Sequence, residues 1–408
     1  MAKSNIVTGL DIGTSSIKCL VVQKRPNECE VLSCVEVPSF GIKRGAVDNV
    51  DEVAKNVQLA ISNAEKECGQ KITSVLVNIG GNNVYVIPSD GIISVSRADQ
   101  RISKEDVDRV IQATKAINLP KDDEVLDVIE REFIVDDRKG VKHPLDLTGV
   151  RLEAKVLLLC VFSRDFLNLT QAVLNSKVQI NDVIPSSLAA SNSVLTPQQK
   201  ELGVAMIDIG AVTTTLSVFE DGDLIHLAVF PIGSSHITND IAIGLKTEVS
   251  TAESIKKQHG TCIFNKKEKE AIKDQAHRKI EIIDKSSDLS FSKKELVDII
   301  EPRVSEILDL IQKELKKIGK HKMLPGGVVL IGGGVKLPRI KELTKEFLEL
   351  NCEIGFPKGI MGVQNDPALA TVAGLVIGGV DFEEEPGILG VVKALFFKIK
   401  KFFRNFIP

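Results

Sequence analysis

The residues best suited to chemistry in this sequence lie in one short stretch, Asp11-Ile12-Gly13-Thr14-Ser15-Ser16-Ile17-Lys18. Gly13 lets a backbone approach a ligand closely. Thr14, Ser15 and Ser16 bring hydroxyls and successive N–H groups, and Lys18 brings a positive charge close by. Together these groups suit a phosphate, while Asp11 suits a metal ion or its waters. Apolar runs lead in at 6–8 and out at 19–22, so the local expectation is two strands joined by a tight turn.

A single Gly-Thr-Ser turn is commonplace, but the design recurs near mid-chain. An apolar strand ends in Asp208-Ile209-Gly210, a hydroxyl-rich turn carries Thr213, Thr214 and Thr215, and a second apolar strand leaves. A third glycine cluster, Gly332-Gly333-Gly334 with Lys336, follows the apolar run 328–331 and reads as a strand running into a helix start. Two facing phosphate hairpins and a late strand–glycine–helix element, in that order, resemble the superfamily of actin, sugar-kinase and heat-shock-chaperone ATPases.

The chain has 408 residues, 43% hydrophobic and 26% charged, enough for two or more cores. Its formal net charge of -3 gives no global attraction for nucleic acid. Seven cysteines are scattered without CxxC or metal-ligand spacing, which reads as reduced, packed thiols in a cytoplasmic protein. The N-terminus lacks signal-peptide anatomy, and no uncharged apolar segment reaches the ~18–20 residues of a membrane span.

The elements that position the hairpins follow from periodicity. A helix is expected over 51–68, opened by Asp51, with Val53, Val57, Ala60, Ile61 and Ala64 as its buried stripe. Strands are expected at 72–79 and 83–87. From 88 to about 160 the texture changes to a small α+β insertion: a helix from Ser103 through 117, then strands over 124–135 and 151–162. A helix over 164–176, a strand over 178–185 and a small-residue helix over 186–195 lead to the second hairpin. Beyond it come a strand at 224–230 and a helix start where Gly233 and Ser234 could approach a nucleotide, with His236 a solvated first-turn residue. A short helix over 251–260 puts Glu253 and Lys256 on one face, the spacing of an ordinary ion pair. Residues 261–288 are charged and poor in pattern, and 292–319 form a long amphipathic helix. A second small-residue helix over 366–375 gives, with the first, two helices crossing between the halves and a hinge that a nucleotide could bias.

The tail differs from the rest. After an acidic, helix-breaking linker at 381–390, a helical projection of 391–408 places Val392, Leu395, Phe396, Ile399, Phe402, Phe403 and Phe406 on one face. Lys393, Lys400, Lys401 and Arg404 crowd the opposite face. About sixteen residues give a helix of roughly 24 Å, too short and too basic to span a bilayer. Bulky apolar and cationic faces describe a helix lying in an anionic membrane surface; the bland alternative docks it on the protein's own body.

Actin-like core, insertion and terminal helix together resemble the FtsA family of bacterial cell-division proteins, over nearly the whole length. The residues that carry this are Asp11-Ile12-Gly13-Thr14, 195–209, 231–241, Ala252-Glu253-Ser254-Ile255-Lys256 with His259-Gly260, and Gly332-Gly333-Gly334. The resemblance implies an α/β, actin-like two-domain ATPase fold with a small α+β insertion and a C-terminal amphipathic helix. By it, subdomain 1A would comprise 1–87, 163–200 and 356–380; 1C, 88–162; 2A, 201–245 and 319–355; and 2B, 246–318. It implies ATP and Mg²⁺ as ligands, with Asp11, Gly13, Thr14, Ser15, Ser16 and Lys18 as the first phosphate loop. Gly210, Thr213 and Thr214 would form the second, Asp11 and Asp208 would lie near Mg²⁺, and Glu253 and Lys256 would bracket ribose and adenine. Gly333, Gly334 and Lys336 would cover the base. The implied function is a peripheral protein of the cytoplasmic membrane face at the division septum. It would polymerise with nucleotide, receive the FtsZ tail on subdomain 2B and tether the FtsZ ring, with self-assembly and later partners on 1C. A type IV pilus assembly adaptor and a small-molecule kinase are the alternatives on the same fold; the first normally lacks the basic terminal helix, and the second has no evident use for it. In one respect the chain departs from the family. Ala211 and Val212 replace two glycines of the second loop, and Thr215 replaces a later aspartate, which puts hydrolysis in doubt more than binding.

Overall fold

A computed structural model describes residues 6–25, 29–264, 279–284, 287–363 and 365–381; the tail at 391–408, with the membrane helix expected there, lies outside them. The first hairpin forms as expected from β1 (Ile6–Ile12) and β2 (Ser16–Lys24), continued by β3 (Cys29–Pro38). A two-residue ladder, β4 (Ile42–Lys43) with β5 (Ala46–Val47), precedes α1 (Val50–Cys68) and β6 (Ser74–Ile79), which lies parallel to β1. Asn49, and not Asp51, caps α1 by accepting the Glu52 N–H, and Gly69 ends it in the left-handed region. The expected stripe is its buried face.

The insertion comprises β7 (Val84–Ser94), α2 (Lys104–Thr114), β8 (Asp123–Val135), β9 (Arg138–Val141) and β10 (Arg151–Phe162), in the strand order β7-β10-β8-β9. The sequence pattern extends this strand only over 83–87. The strand instead runs on through Pro88 to Ser94, which an edge position permits. Ser103 and Asp106 cap each other at the start of α2. The chain then returns through α3 (Ser163–Asn175), β11 (Gln179–Pro185) and α4 (Ser186–Val194).

In the second half, α5 (Pro197–Leu202) precedes β12 (Val204–Ile209), β13 (Thr214–Glu220) and β14 (Asp223–Phe230). Helices α6 (Ser234–Leu245) and α7 (Val249–His259) follow. Within the stretch read as patternless lies a hairpin, β15 (Lys279–Asp284) with β16 (Ser287–Ser292), leading into α8 (Lys293–Lys317). Then come β17 (Val328–Ile331), a 3₁₀ turn at Gly333–Lys336, α9 (Ile340–Leu348), β18 (Cys352–Ile354), β19 (Ile360–Met361) and α10 (Ala370–Asp381).

The two large sheets have one topology twice. Order β11-β6-β1-β2-β3, extended by β19, matches order β18-β17-β12-β13-β14, with β6 parallel to β1 and β17 parallel to β12. Helices cover both faces, which is why the central strands read as nearly continuous apolar runs. Helices α1 and α3 pack one face of the first sheet through Val53, Val57, Phe166 and Val173, while α10 packs the other through Val372, Ala373 and Val376. Helices α6 to α9 cover the second sheet through Ile241, Ile255, Ile300, Leu308 and Leu343. Helices α4 and α10 cross between the halves at very short range: a Cβ on Gly374 would sit 1.7 Å from the Ala189 carbonyl oxygen.

Candidate functional site

Both hairpins close in the same way. Gly13 N–H donates to the Ser16 carbonyl at 3.1 Å, and Gly210 N–H to the Thr213 carbonyl at 2.9 Å. The turns differ in chemistry: Thr14, Ser15 and Ser16 in the first stand where the second has Ala211, Val212 and Thr213. Register extends the correspondence, since Asp11 pairs with Lys18 and Asp208 pairs with Thr215. One cation therefore serves two aspartates. Among the described residues no acceptor takes the backbone N–H of Thr14 or Ser15, which leaves both for an anion.

Between the turns lies a cleft of about 590 Å³. Its walls hold Asp11, Gly13, Thr14, Ser15, Ser16, Lys18, Asp208, Gly210, Thr213, Ser234, Glu253, Lys256, Gly333, Gly334 and Lys336. Sequence reasoning had therefore assembled most of one wall from each half. Two expected residues lie elsewhere. Thr214 is buried, with its hydroxyl donating to the Ile232 carbonyl at 2.8 Å, because the first residue of β13 faces the core and not the cleft. Gly233 packs on the second turn, where a Cβ would stand 2.7 Å from the Gly210 carbonyl oxygen, so it supports the turn from behind. His236 is not a free first-turn residue either: its Nδ1 accepts the Gly233 N–H at 3.1 Å and caps α6.

Lys18 Nζ lies 3.5 Å from Asp11 Oδ2, and Glu36 is its register partner on β3. Burial works against the charge on Lys18, but Asp11, Glu36 and Asp208 more than offset it and raise its pKa. Burial pushes Asp11 up despite Lys18, and burial, reinforced by Asp11, pushes Asp208 up to about 6. A buried carboxylate, Asp11, and a half-buried one, Asp208, facing one lysine leave a deficit of positive charge. Among the described residues no cluster of three or more His, Cys, Asp or Glu can hold a metal alone. Mg²⁺ typically takes one or two carboxylates and completes its shell with phosphates and water, and the pair Asp11 and Asp208 fits that pattern.

Across the cleft, Lys256 Nζ contacts Glu253 Oε2 at 2.7 Å and donates to Thr238 Oγ1 at 2.7 Å and to the Ser234 carbonyl at 3.2 Å. Burial opposes ionisation of Glu253, yet hydrogen bonds from Lys256 and Thr238 hold its pKa below the ordinary value. The glycine cluster is explained by contact. Gly332 has φ 91, and a Cβ there would meet Asp208 Oδ1 at 2.2 Å, while one on Gly334 would meet Ile209 Cγ2 at 2.5 Å. Gly333 faces open space. Lys336 pairs with Asp366 at 2.6 Å, and Gly332 N–H donates to the Pro367 carbonyl at 3.0 Å, so this loop also ties the halves together.

Sequence reasoning missed Asn78, Ser186 and Glu36, which also line the cleft. Asn78 left one signal, a single amide in the otherwise apolar buried run 75–79.

Comparison with known proteins agrees with this geometry. The family described as Cell division protein FtsA matches residues 205–374, and the SHS2 domain inserted in FTSA matches 81–160. The Cell division protein FtsA of Bacillus subtilis (strain 168) is 34% identical over 376 residues, 92% of this chain and 84% of that protein. This chain belongs to the FtsA family. The Pseudomonas aeruginosa FtsA is 33% identical over 384 residues, 93% of this chain and 90% of that protein. Among solved structures, the PilM-PilN type IV pilus biogenesis complex matches with a TM-score of 0.66 at 16% identity, covering 92% of this chain and 98% of that one. MreB5 of Spiroplasma citri bound to ADP matches with a TM-score of 0.57 at 13% identity, covering 94% of this chain and 99% of that one. These likenesses establish the actin-like fold. The FtsA family thus supplies the identity, and the duplicated sheets supply the reason for two hairpins.

Proposed function

We propose that this FtsA-family protein binds ATP with a divalent cation in its cleft and acts as a membrane-attached, polymerising tether for the FtsZ ring. The observation that carries the first part is the duplicated hairpin, which brings the carboxylates of Asp11 and Asp208 and one lysine into a single cleft. In it, the loop Gly13–Ser16 and Lys18 would hold the β- and γ-phosphates, and Asp11 and Asp208 the cation. Gly210 and Thr213 would face the phosphates from the other half. Ser234, Glu253 and Lys256 would meet the nucleoside, and Gly333, Gly334 and Lys336 would cover the base. The cation would neutralise phosphate charge; the chain itself would orient the nucleotide and limit water.

Family membership supports the remaining parts: the FtsZ tail received by 246–318, self-assembly into filaments, and the helix at 391–408 on an anionic membrane surface at the septum. It also favours this reading over a pilus adaptor or a small-molecule kinase. No helix among the described residues is long and apolar enough to cross a membrane.

The test is calorimetric. Lys18→Ala is expected to weaken ATP binding by roughly 1.5–3 kcal/mol, or about ten- to a hundred-fold, because a charge-assisted contact is lost. Unchanged affinity would remove Lys18 from the phosphate site. Turnover is expected to stay below about 1 s⁻¹, the low end for enzymes, because Ala211 and Val212 put Cβ atoms on a loop that in the family is glycine. Replacing both with Gly should raise the rate; faster turnover by the parent would show that these two side chains do not limit it.

A further inference from the structure

Asn78 is the penultimate residue of β6 and is 6% exposed, with both ends of its amide engaged. Its Oδ1 accepts the Ile12 N–H at 2.7 Å, and since only the carbonyl end can accept, this bond fixes which way the amide points. Its Nδ2 then donates to Asp11 Oδ1 at 2.7 Å and to Ser186 Oγ at 3.1 Å. Asp11 Oδ2, on the other side of the carboxylate, is the oxygen 3.5 Å from Lys18. Ser186 is the first residue of the crossing helix α4, and its hydroxyl donates to the Ile79 carbonyl at 3.0 Å. The fit is close: a Cβ on Gly80 would stand 2.8 Å from Ser186 Oγ.

We propose that Asn78 is a positioning residue for Asp11, holding Oδ1 so that Oδ2 is the oxygen offered to a cation in the cleft, and that Ser186 ties this orientation to α4. The inference rests on the reading of the cleft as a nucleotide–cation site. Without the amide, the carboxylate end of Asp11 turns about a broad torsion, and either oxygen can face Lys18. Because the second N–H of the amide ends on α4, movement of that helix against β6 takes away one of the partners that lock the amide. Asn78 itself touches neither phosphate nor cation in this scheme.

A positioning role predicts a split between cation and nucleotide. ATP binding by the full-length protein is measured by calorimetry over a series of Mg²⁺ concentrations and again in EDTA. In Asn78→Ala the Mg²⁺ concentration that half-restores tight binding should rise about ten- to a hundred-fold, the usual range for an outer partner of a metal ligand. Binding in EDTA should stay within about two-fold of the parent. Ser186→Ala, which leaves the Asn78–Asp11 bond in place, should move the same midpoint about two- to ten-fold, the worth of one hydrogen bond. This second variant decides the matter if the first does not fold. Equal weakening of ATP with and without Mg²⁺, or no change in the Mg²⁺ midpoint for either variant, overturns the inference while the nucleotide reading stands. A parent that binds no ATP overturns the reading and this inference with it.

Discussion

Gly374→Ala is expected to destabilise the protein by about 3 kcal/mol, near the top of the range for over-packing a close contact. A Cβ at this site would lie 1.7 Å from the Ala189 carbonyl oxygen and 2.3 Å from its carbonyl carbon, both rigid backbone atoms of α4. No rotamer change relieves that contact, so α10 and α4 must separate. The intrinsic preference of helices for Ala over Gly, about 1 kcal/mol, opposes the loss without cancelling it. Gly378 on the same helix is the internal control. Its nearest atom to an added Cβ is Asn192 Nδ2 at 3.9 Å, so Gly378→Ala should be neutral or slightly stabilising. Urea midpoints of the two variants check this; a Gly374→Ala protein as stable as its parent would mean that the helices do not pack at this distance. Because α4 begins at Ser186 in the cleft wall, the same variant should also weaken nucleotide binding.

That contact shows what the sequence makes legible. The small residues of 186–195 and 366–375 announce two helices that pass close to other backbone, and they do pass close to each other. Elements with strong periodicity, such as α1 and α8, are legible for the same reason: one face must be buried, so the pattern follows the geometry. The turn chemistry at Asp11–Lys18 and Asp208–Thr213 is legible because few functions need an aspartate, a glycine and hydroxyls between two apolar strands. Phase is harder. Thr213 and Thr214 are chemically alike, and only the register of β13 decides that Thr213 lines the cleft while Thr214 bonds to Ile232 in the core. Pairing partners distant in sequence are harder still. Asn78 is 67 residues from Asp11 and 108 from Ser186, so its contacts exist only once β6, β1 and α4 are assembled. Pro88 does not end its strand, because a proline is excluded from a central strand but not from an edge one, and edge position is a property of the sheet.

The charge replacement Phe396→Glu with Phe403→Glu is expected to release the protein from anionic vesicles. Burying three or four Phe side chains with Leu395 and Ile399, at ~1.5–3 kcal/mol for each fully buried side chain, gives a gross gain on the order of 10 kcal/mol. Interfacial burial is partial and the helix must be ordered on binding, so only part of that gain survives. Lys393, Lys400, Lys401 and Arg404 add about 1 kcal/mol each near an anionic leaflet, a share that fades with salt. Attachment should therefore be reversible, with an ionic component that raised salt removes and an apolar component that it leaves. Two glutamates in the middle of the apolar face abolish the larger component and oppose the smaller one. Nucleotide affinity should not change, because every cleft residue lies before position 372. Co-sedimentation with vesicles of mixed anionic and neutral lipid measures the outcome. If the double variant sediments as well as the parent, the helix is not the anchor and packs instead on the protein's own surface. In that case removing residues after Pro386 should lower thermal stability, whereas deleting a membrane helix from the unbound protein should leave it unchanged.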